Sequence, residues 1–350
     1  MGERKVYIEY QFREGPYGGA NQFLKCLRDY LIREGHYSET PEEADYILIN
    51  HTNIRPELME LKRKHPEKII IHRMDGPVAK HRKHSKVLDL QSFFLDKILC
   101  DGTVFQSRWT MESCKEEGYR ETGKATVIHN APDPAIFSRG KKVERIKPEG
   151  KCRLISTSWS DNWNKGFDVL QFLDEHLDFN RYEFTFIGNS PVKFKNIVQM
   201  PPLNSQELAK ELVKYDIFVA ASKSESCSNS LLEAINCGLV VAARESGCYR
   251  EVIGEGGVLA KDASELLARL DHLRDHIEEY QARLLFYDIE EIGREYYNFM
   301  EMVGEAVRNG RQKGKRPSGW DLVRWKAFVL YIRVRNKLGR MWGSLKRRVK

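Results

Sequence analysis

Residues 215–260 read YDIFVAASKSESCSNSLLEAINCGLVVAARESGCYREVIGEGGVLA. An apolar run, Ile217 to Ala220, enters a polar loop, and the loop enters an amphipathic segment that stops at Cys237-Gly238, where glycine suits a left-handed helix end. A second apolar run, Leu239 to Ala243, follows. The pattern predicts strand, loop, helix and strand, with Glu225 in the loop and Glu233 one to two turns into the helix. A loop feeding a helix N-terminus presents unpaired N–H groups and the positive end of a dipole, a setting for phosphate. Carboxylates suit hydroxyls instead, such as those of a ribose or a hexose. The segment therefore holds partners for both halves of a nucleotide sugar.

Outward from this stretch, strand and helix patterns alternate twice. In the first series Lys5 to Tyr10, Tyr46 to Asn50, Lys68 to His72, Thr103 to Phe105 and Thr126 to His129 read as buried parallel strands. Ala20 to Arg33, Ser85 to Cys100 and Ser107 to Glu117 read as helices. The charged stretch from Ser138 to Lys151 reads as a linker. The second series places strands at Arg153 to Ser156, Glu183 to Ile187, Ile217 to Ala220, Leu239 to Ala243 and Gly257 to Leu259, and helix over Ala263 to Phe286. Two such alternations predict two doubly wound α/β domains, with ligands at the carboxyl ends of the strands.

At 350 residues, with 41% apolar and 31% charged composition, the chain fits a globular protein of two domains. No apolar run approaches the roughly 18 to 20 residues of a membrane span. MGERKVYIEY lacks an apolar signal core and is expected to pass straight into a strand. Seven scattered cysteines without a C-x-x-C pair point to a reducing cytosol rather than to zinc or disulfides. The net charge of +7 is uneven: residues 311–350 hold fourteen Lys or Arg and one Asp, leaving −6 for the rest.

E-S-C-S-N-S-L-L-E-A-I-N-C-G-L-V-V-A resembles the E-x7-E signature of the family 4 retaining glycosyltransferases, which have the GT-B fold of two Rossmann-like domains facing a cleft. The preceding D-I-F-V-A-A-S and the following E-V-I-x-x-x-G-G-V-L extend the resemblance, which covers about residues 5–305. It implies an N-terminal acceptor domain over 1–138, a linker over 139–151 and a nucleotide-sugar domain over 152–288. A helix over 289–308 would cross back, ahead of a basic tail over 309–350.

The resemblance also implies roles. Gly18 and Gly19, in the loop after the first strand, would face the donor diphosphate. His72 would lie near the transferred sugar, and Arg73 and Asp75 would serve the acceptor side. Lys165 would hold the diphosphate as negative charge accumulates on it. Glu225 would hold hydroxyls of the transferred sugar, and Glu233 the ribose. The N–H groups of Cys227, Ser228, Asn229 and Ser230 would meet the phosphates, and the base would lie near Met200 to Leu203. Glu225, His72 and Lys165 are thus the expected catalytic group. Trp159 stands where the family has an arginine, and Ser226 and Ser228 where it often has glycine.

The resemblance implies a same-face displacement, in which the leaving phosphate helps deprotonate the acceptor hydroxyl. No D-x-D lies in a plausible metal loop, so neither metal nor cofactor is expected. The expected partners are a nucleotide-diphosphate sugar, UDP favoured over GDP, and a saccharide or lipid-linked acceptor of bacterial surface glycan synthesis. Two rivals stand beside this reading: an NAD-type oxidoreductase, against which the absent G-x-G-x-x-G counts, and a silent nucleotide-sugar-binding scaffold.

Beyond Pro317-Ser318-Gly319, residues 320–350 read as a helix with Leu322, Trp325, Val329 and Ile332 at three- and four-residue spacing and Lys or Arg on other faces. That composition predicts an in-plane helix on anionic lipid, placing the protein at the inner face of the cell membrane. A helix packed on the protein's own surface and a nucleic-acid patch are the alternatives, and no nucleic-acid partner is expected.

Overall fold

The computed structural model describes residues 3–14, 18–51, 55–81, 86–138 and 150–348. The expected glycine loop is thus described only from Gly18 on, and Gly15, Pro16, Tyr17 and the linker over 139–149 lie outside the described residues.

The first α/β unit runs β1 (Val6–Glu9), α1 (Gly19–Arg33), β2 (Tyr46–Asn50), α2 (Pro56–Lys64), β3 (Ile69–Met74), α3 (Val78–His81), α4 (Lys86–Leu99), β4 (Gly102–Phe105), α5 (Arg108–Glu116) and β5 (Lys124–Val127). Its five strands are parallel, in the order β1-β2-β3-β4-β5. After α1 the chain bridges the free edge of β1 through Val6 and Tyr37, then crosses back to lay β2 on the other side. The winding therefore reverses at β1, and a crevice opens at its carboxyl end. Alternate strand residues bury on opposite faces: Ile69 and Ile71 against α1, Ile70 against α2 and α4.

The second unit runs β6 (Cys152–Ser158), α6 (Phe167–His176), β7 (Tyr182–Gly188), β8 (Val198–Met200), α7 (Ser205–Leu212), β9 (Ile217–Ala220), α8 (Asn229–Asn236), β10 (Val240–Arg244), α9 (Tyr249–Ile253), β11 (Gly257–Ala260), α10 (Ala263–Asp275) and α11 (Ile277–Ala282). Its parallel sheet has the order β11-β10-β9-β6-β7-β8, so the reversal lies between β6 and β9. The loop carrying Glu225 leaves the carboxyl end of β9 at that point.

The amphipathic helix α12 (Ile289–Arg308) returns to the first unit. Its Tyr296, Phe299, Met300 and Val303 join one apolar cluster with Phe23, Leu27 and Tyr46 of the first unit and Leu231 and Ile235 of the second. One apolar cluster thus runs between both sheets, while the outer face of each sheet has its own.

The tail forms α13 (Gly319–Arg348). The expectation of a wholly interfacial helix is corrected for its first part. Trp325 is 3% exposed and packs with Ile47, Leu58, Leu95 and Leu99, with Leu322 and Val329 beside it. Its lead-in is fastened as well: Asp101 accepts from Lys315 N at 2.7 Å and from Lys62 Nζ at 2.9 Å, both side chains of the latter pair being fully buried. The apolar spacing that suggested a lipid face is, over this stretch, the face that covers the sheet.

Candidate functional site

At the β6–β9 reversal a cavity of about 290 Å³ opens between the two units. Thr157 and Ser158 at the end of β6, the loop from Ser222 to Ser228 and the start of α8 form its floor, and Gly18 and Gly19 close it from the first unit. Pro202 and Leu203 line it with Ile187, an apolar wall on the segment expected to take a base.

The Glu225 loop is held in a strained shape. Ser224 has φ 60°, a left-handed conformation that costs a non-glycine residue about 1–2 kcal/mol. Its N–H donates to Ser246 Oγ at 3.0 Å, and Cys248 N donates to Glu225 O at 2.9 Å. Between them, Gly247 (φ 60°) lies so close that a Cβ there would stand 2.4 Å from the Glu225 carbonyl. The turn after β10 thus fixes the backbone that presents Glu225.

Lys165 ends a short 3-10 turn, Trp163–Lys165. Its Nζ lies 2.6 Å from Glu225 Oε1. Among the described residues it is the one cation that lines the cavity. Trp159 also lines it, with half its surface exposed, so a flat ring stands where the resembled family has a guanidinium.

Ser228 is the N-cap of α8 but makes no capping hydrogen bond; its Oγ lies 3.1 Å from Ser230 Oγ. The first turn of α8 therefore faces the cavity without a side-chain cap, open to an anion. Glu233, one turn further, is half-buried and lines the same space. It accepts no hydrogen bond from the described residues, and burial alone pushes its carboxyl up to about 8. A half-buried carboxylate that the described residues leave without a donor suits a ligand that supplies hydroxyls.

Two expectations are corrected. His72 is fully buried, its Nδ1 3.0 Å from Asp96 Oδ1 and its Nε2 2.9 Å from the His51 carbonyl. With both ring nitrogens taken inside the sheet, it does not reach the cleft. It belongs to a trio with Asp96 and Cys100 whose polar atoms lie within 4.8 Å of one another. Asp96 there is already taken by His72, Thr103 Oγ1 at 2.7 Å and Tyr119 at 3.1 Å. Arg73 is also fully buried: Nη1 donates to Asn50 Oδ1 and Asp75 Oδ1, and Nη2 to Asn130 Oδ1 at 2.7 Å. It cannot meet an acceptor. Asp75 keeps 33% of its side chain exposed while accepting from Arg73, Gln106 and Asn50, and is not among the residues that line the cavity.

Cys227 also turns away from the cavity. Its Sγ accepts from Asn130 N at 3.5 Å, and burial pushes the thiol up to about 12. Only its backbone is offered to a ligand. Gln22 and Ser158, unmarked in the sequence, also line the site.

Residues 161–276 match the family model of the glycosyl transferases group 1. That match lies within the second unit, and the two parallel-sheet α/β units have the GT-B fold. The fold is shared with sucrose-phosphate synthase from Thermosynechococcus elongatus (12% identity, TM-score 0.66, covering 87% of this chain and 100% of that one). It is likewise shared with Anabaena HepE in complex with UDP (13% identity, TM-score 0.64, covering 85% and 100%). An uncharacterized 41.2 kDa protein in the cps region of Klebsiella pneumoniae is 24% identical over 197 residues. That alignment covers 51% of this chain and 54% of the relative, so the chain spans about half the length of the curated relative it matches.

Proposed function

We propose that this GT-B protein is a retaining glycosyltransferase that moves a hexose from a nucleotide-diphosphate sugar to a hydroxyl of a lipid-linked saccharide or polysaccharide. The observation that carries this reading is one cavity in which an uncapped helix start, Lys165 and Glu233, which accepts no hydrogen bond from the described residues, meet. Phosphate fits the first two and a ribose diol fits the third. Glu225, paired to Lys165, is placed for hydroxyls of the transferred sugar. Neither glutamate is free to be a nucleophile if both hold the donor, which supports a same-face displacement assisted by the leaving phosphate rather than a covalent intermediate. On this reading no metal is required, and the partly exposed Asp75, whose carbonyl accepts from Ser226 Oγ, is the acceptor-side candidate that remains.

UDP is the favoured donor nucleotide because the Anabaena HepE structures of the same fold hold UDP and UDP-glucose. Surface glycan synthesis is favoured by the relative in the cps region. Attachment to the inner face of the cell membrane is favoured by α13. No helix among the described residues is long and apolar enough to cross a membrane. Yet Trp320, Val323, Leu330, Tyr331 and Val334 stand exposed on α13, amid Lys and Arg, away from the face that covers the sheet.

Melting curves of the purified protein with UDP, GDP, ADP, CMP, NAD and the matching sugar nucleotides test the donor class, since a ligand of the native state raises Tm with its affinity. A rise with one nucleotide diphosphate and its sugar conjugates supports the proposal. A rise with NAD alone revives an oxidoreductase. Donor binding without transfer to any saccharide acceptor makes the protein a silent scaffold.

A further inference from the structure

The buried Arg73 heads a chain of hydrogen bonds that ends in the donor cavity. Its Nη2 donates to Asn130 Oδ1 at 2.7 Å; Asn130 Nδ2 donates to Asn229 Oδ1 at 2.8 Å; Asn229 Nδ2 donates to the Gly19 carbonyl at 2.7 Å. Asn130 is 2% exposed and belongs to the first unit; Asn229 opens α8 in the second; Gly19 opens α1 in the first. The chain crosses the cleft and returns.

Its polarity follows from its head. A guanidinium only donates, whereas a side-chain amide can point either way. Arg73 fixes Asn130 with its oxygen inward, so Asn130 must donate outward to Asn229 and to Gln106 Oε1, 3.1 Å away. Asn229 must then receive with its oxygen and donate to Gly19. Reversing any one amide would set two oxygens or two N–H groups face to face.

We propose that Asn130 is a positioning residue that transmits the fixed polarity of Arg73 to Asn229, and so sets the start of α8 and the glycine loop at the separation a diphosphate sugar needs. Its kinetic consequence rests on the glycosyl-transfer reading; its structural consequence does not.

Asn130→Asp is the decisive variant. It keeps the shape and the bond to Arg73 but replaces the donor that faces Asn229 and Gln106 Oε1 with a second acceptor. In the full chain without ligand, backbone amides of residues 18–22 and 227–232 should exchange with deuterium at least tenfold faster, while the rest of both sheets is unchanged. With donor and acceptor, kcat should fall at least tenfold and donor KM should stay within twofold. Wild-type exchange and wild-type kcat in Asn130→Asp overturn the proposal. Should Asn130→Asp loosen the whole fold, the double variant with Asn229→Ala decides. A relay makes the two substitutions non-additive: Asn130→Asp loses the part of its effect that runs through Asn229 and keeps only the part due to Gln106, and an equal loss in both backgrounds overturns it. A wild-type protein that transfers no sugar from any nucleotide sugar sinks the glycosyl-transfer reading alone, and the exchange comparison then decides the relay.

Discussion

Lys165 Nζ and Glu225 Oε1 lie 2.6 Å apart, so the cation suited to a diphosphate and the carboxylate suited to a sugar neutralise each other before any ligand arrives. The pair is partly exposed, which limits its worth to the order of 1 kcal/mol. A diphosphate must compete with Glu225 for Lys165. Glu225→Gln should therefore tighten free UDP severalfold by releasing the lysine, and lower turnover of the sugar nucleotide by about 10²-fold. Lys165→Met should weaken UDP by about 2 kcal/mol, roughly thirtyfold, and leave uridine binding unchanged. Titration calorimetry with uridine, UDP and the sugar conjugate separates the roles; weaker UDP binding by Glu225→Gln would sink the competition.

Glu233 makes the site sensitive to pH. Its folded pKa, about 8, lies above the ordinary carboxyl value of 4.5. Ribose hydroxyls donate to the ionised form and favour it, so nucleotide affinity should rise with pH up to about 8 and level off above. Binding at pH 7 should release protons, which calorimetry in two buffers of different ionisation heat detects; Glu233→Gln should abolish both effects. The sign for folding is opposite. A raised carboxyl pKa costs stability progressively from about pH 4.5 to pH 8. Glu233→Gln should match wild type near pH 4.5 and exceed it by about 2 kcal/mol at pH 9, discounted from about 1.4 kcal/mol per pKa unit because the carboxyl opens on the cavity.

The parallel sheets were legible because their strands are short β-branched runs at regular spacing, and the loop carrying Glu225 because it falls between an apolar strand and an amphipathic helix. The same regularity hid His72 and Arg73. All six residues of β3 are buried, so nothing in Ile69–Met74 tells a side chain aimed at the cleft from one aimed into the core. Asn130 was invisible for a different reason: its partners Arg73 and Asn229 lie 57 and 99 residues away. The edge strand Val198–Met200 was missed because two of its three residues are exposed and show no apolar run.

Gly247 gives a test of backbone placement. Its φ of 60° and the 2.4 Å approach of the Glu225 carbonyl both oppose a Cβ. Gly310 shares the conformation, φ 68°, with nothing within 4 Å. Gly310→Ala should cost about 1–2 kcal/mol and leave turnover intact. Gly247→Ala should cost more and lower turnover at least tenfold, since the loop must shift to admit the methyl group. Equal effects of the two on kcat would show that the position of the Glu225 backbone is not limiting.

Helix α13 buries Trp325 against the first unit and leaves Trp320, Val323, Leu330, Tyr331 and Val334 exposed. Trp325→Ala opens the cluster formed with Ile47, Leu58 and Leu95, and should cost about 3–5 kcal/mol. Trp320, 76% exposed, and Leu330, 61% exposed, support nothing in the core, so Trp320→Ser with Leu330→Ser should leave Tm within about 1 °C. The same double variant should lose about tenfold in sedimentation with vesicles containing phosphatidylglycerol. Deleting residues 336–350 removes six Lys or Arg and spares Trp325. At about 1 kcal/mol per basic residue near an anionic surface, that deletion should release the protein from the same vesicles at moderate salt. A truncated protein that still sediments with them, or a wild type that binds neutral phosphatidylcholine equally well, would refute attachment through charge on the tail.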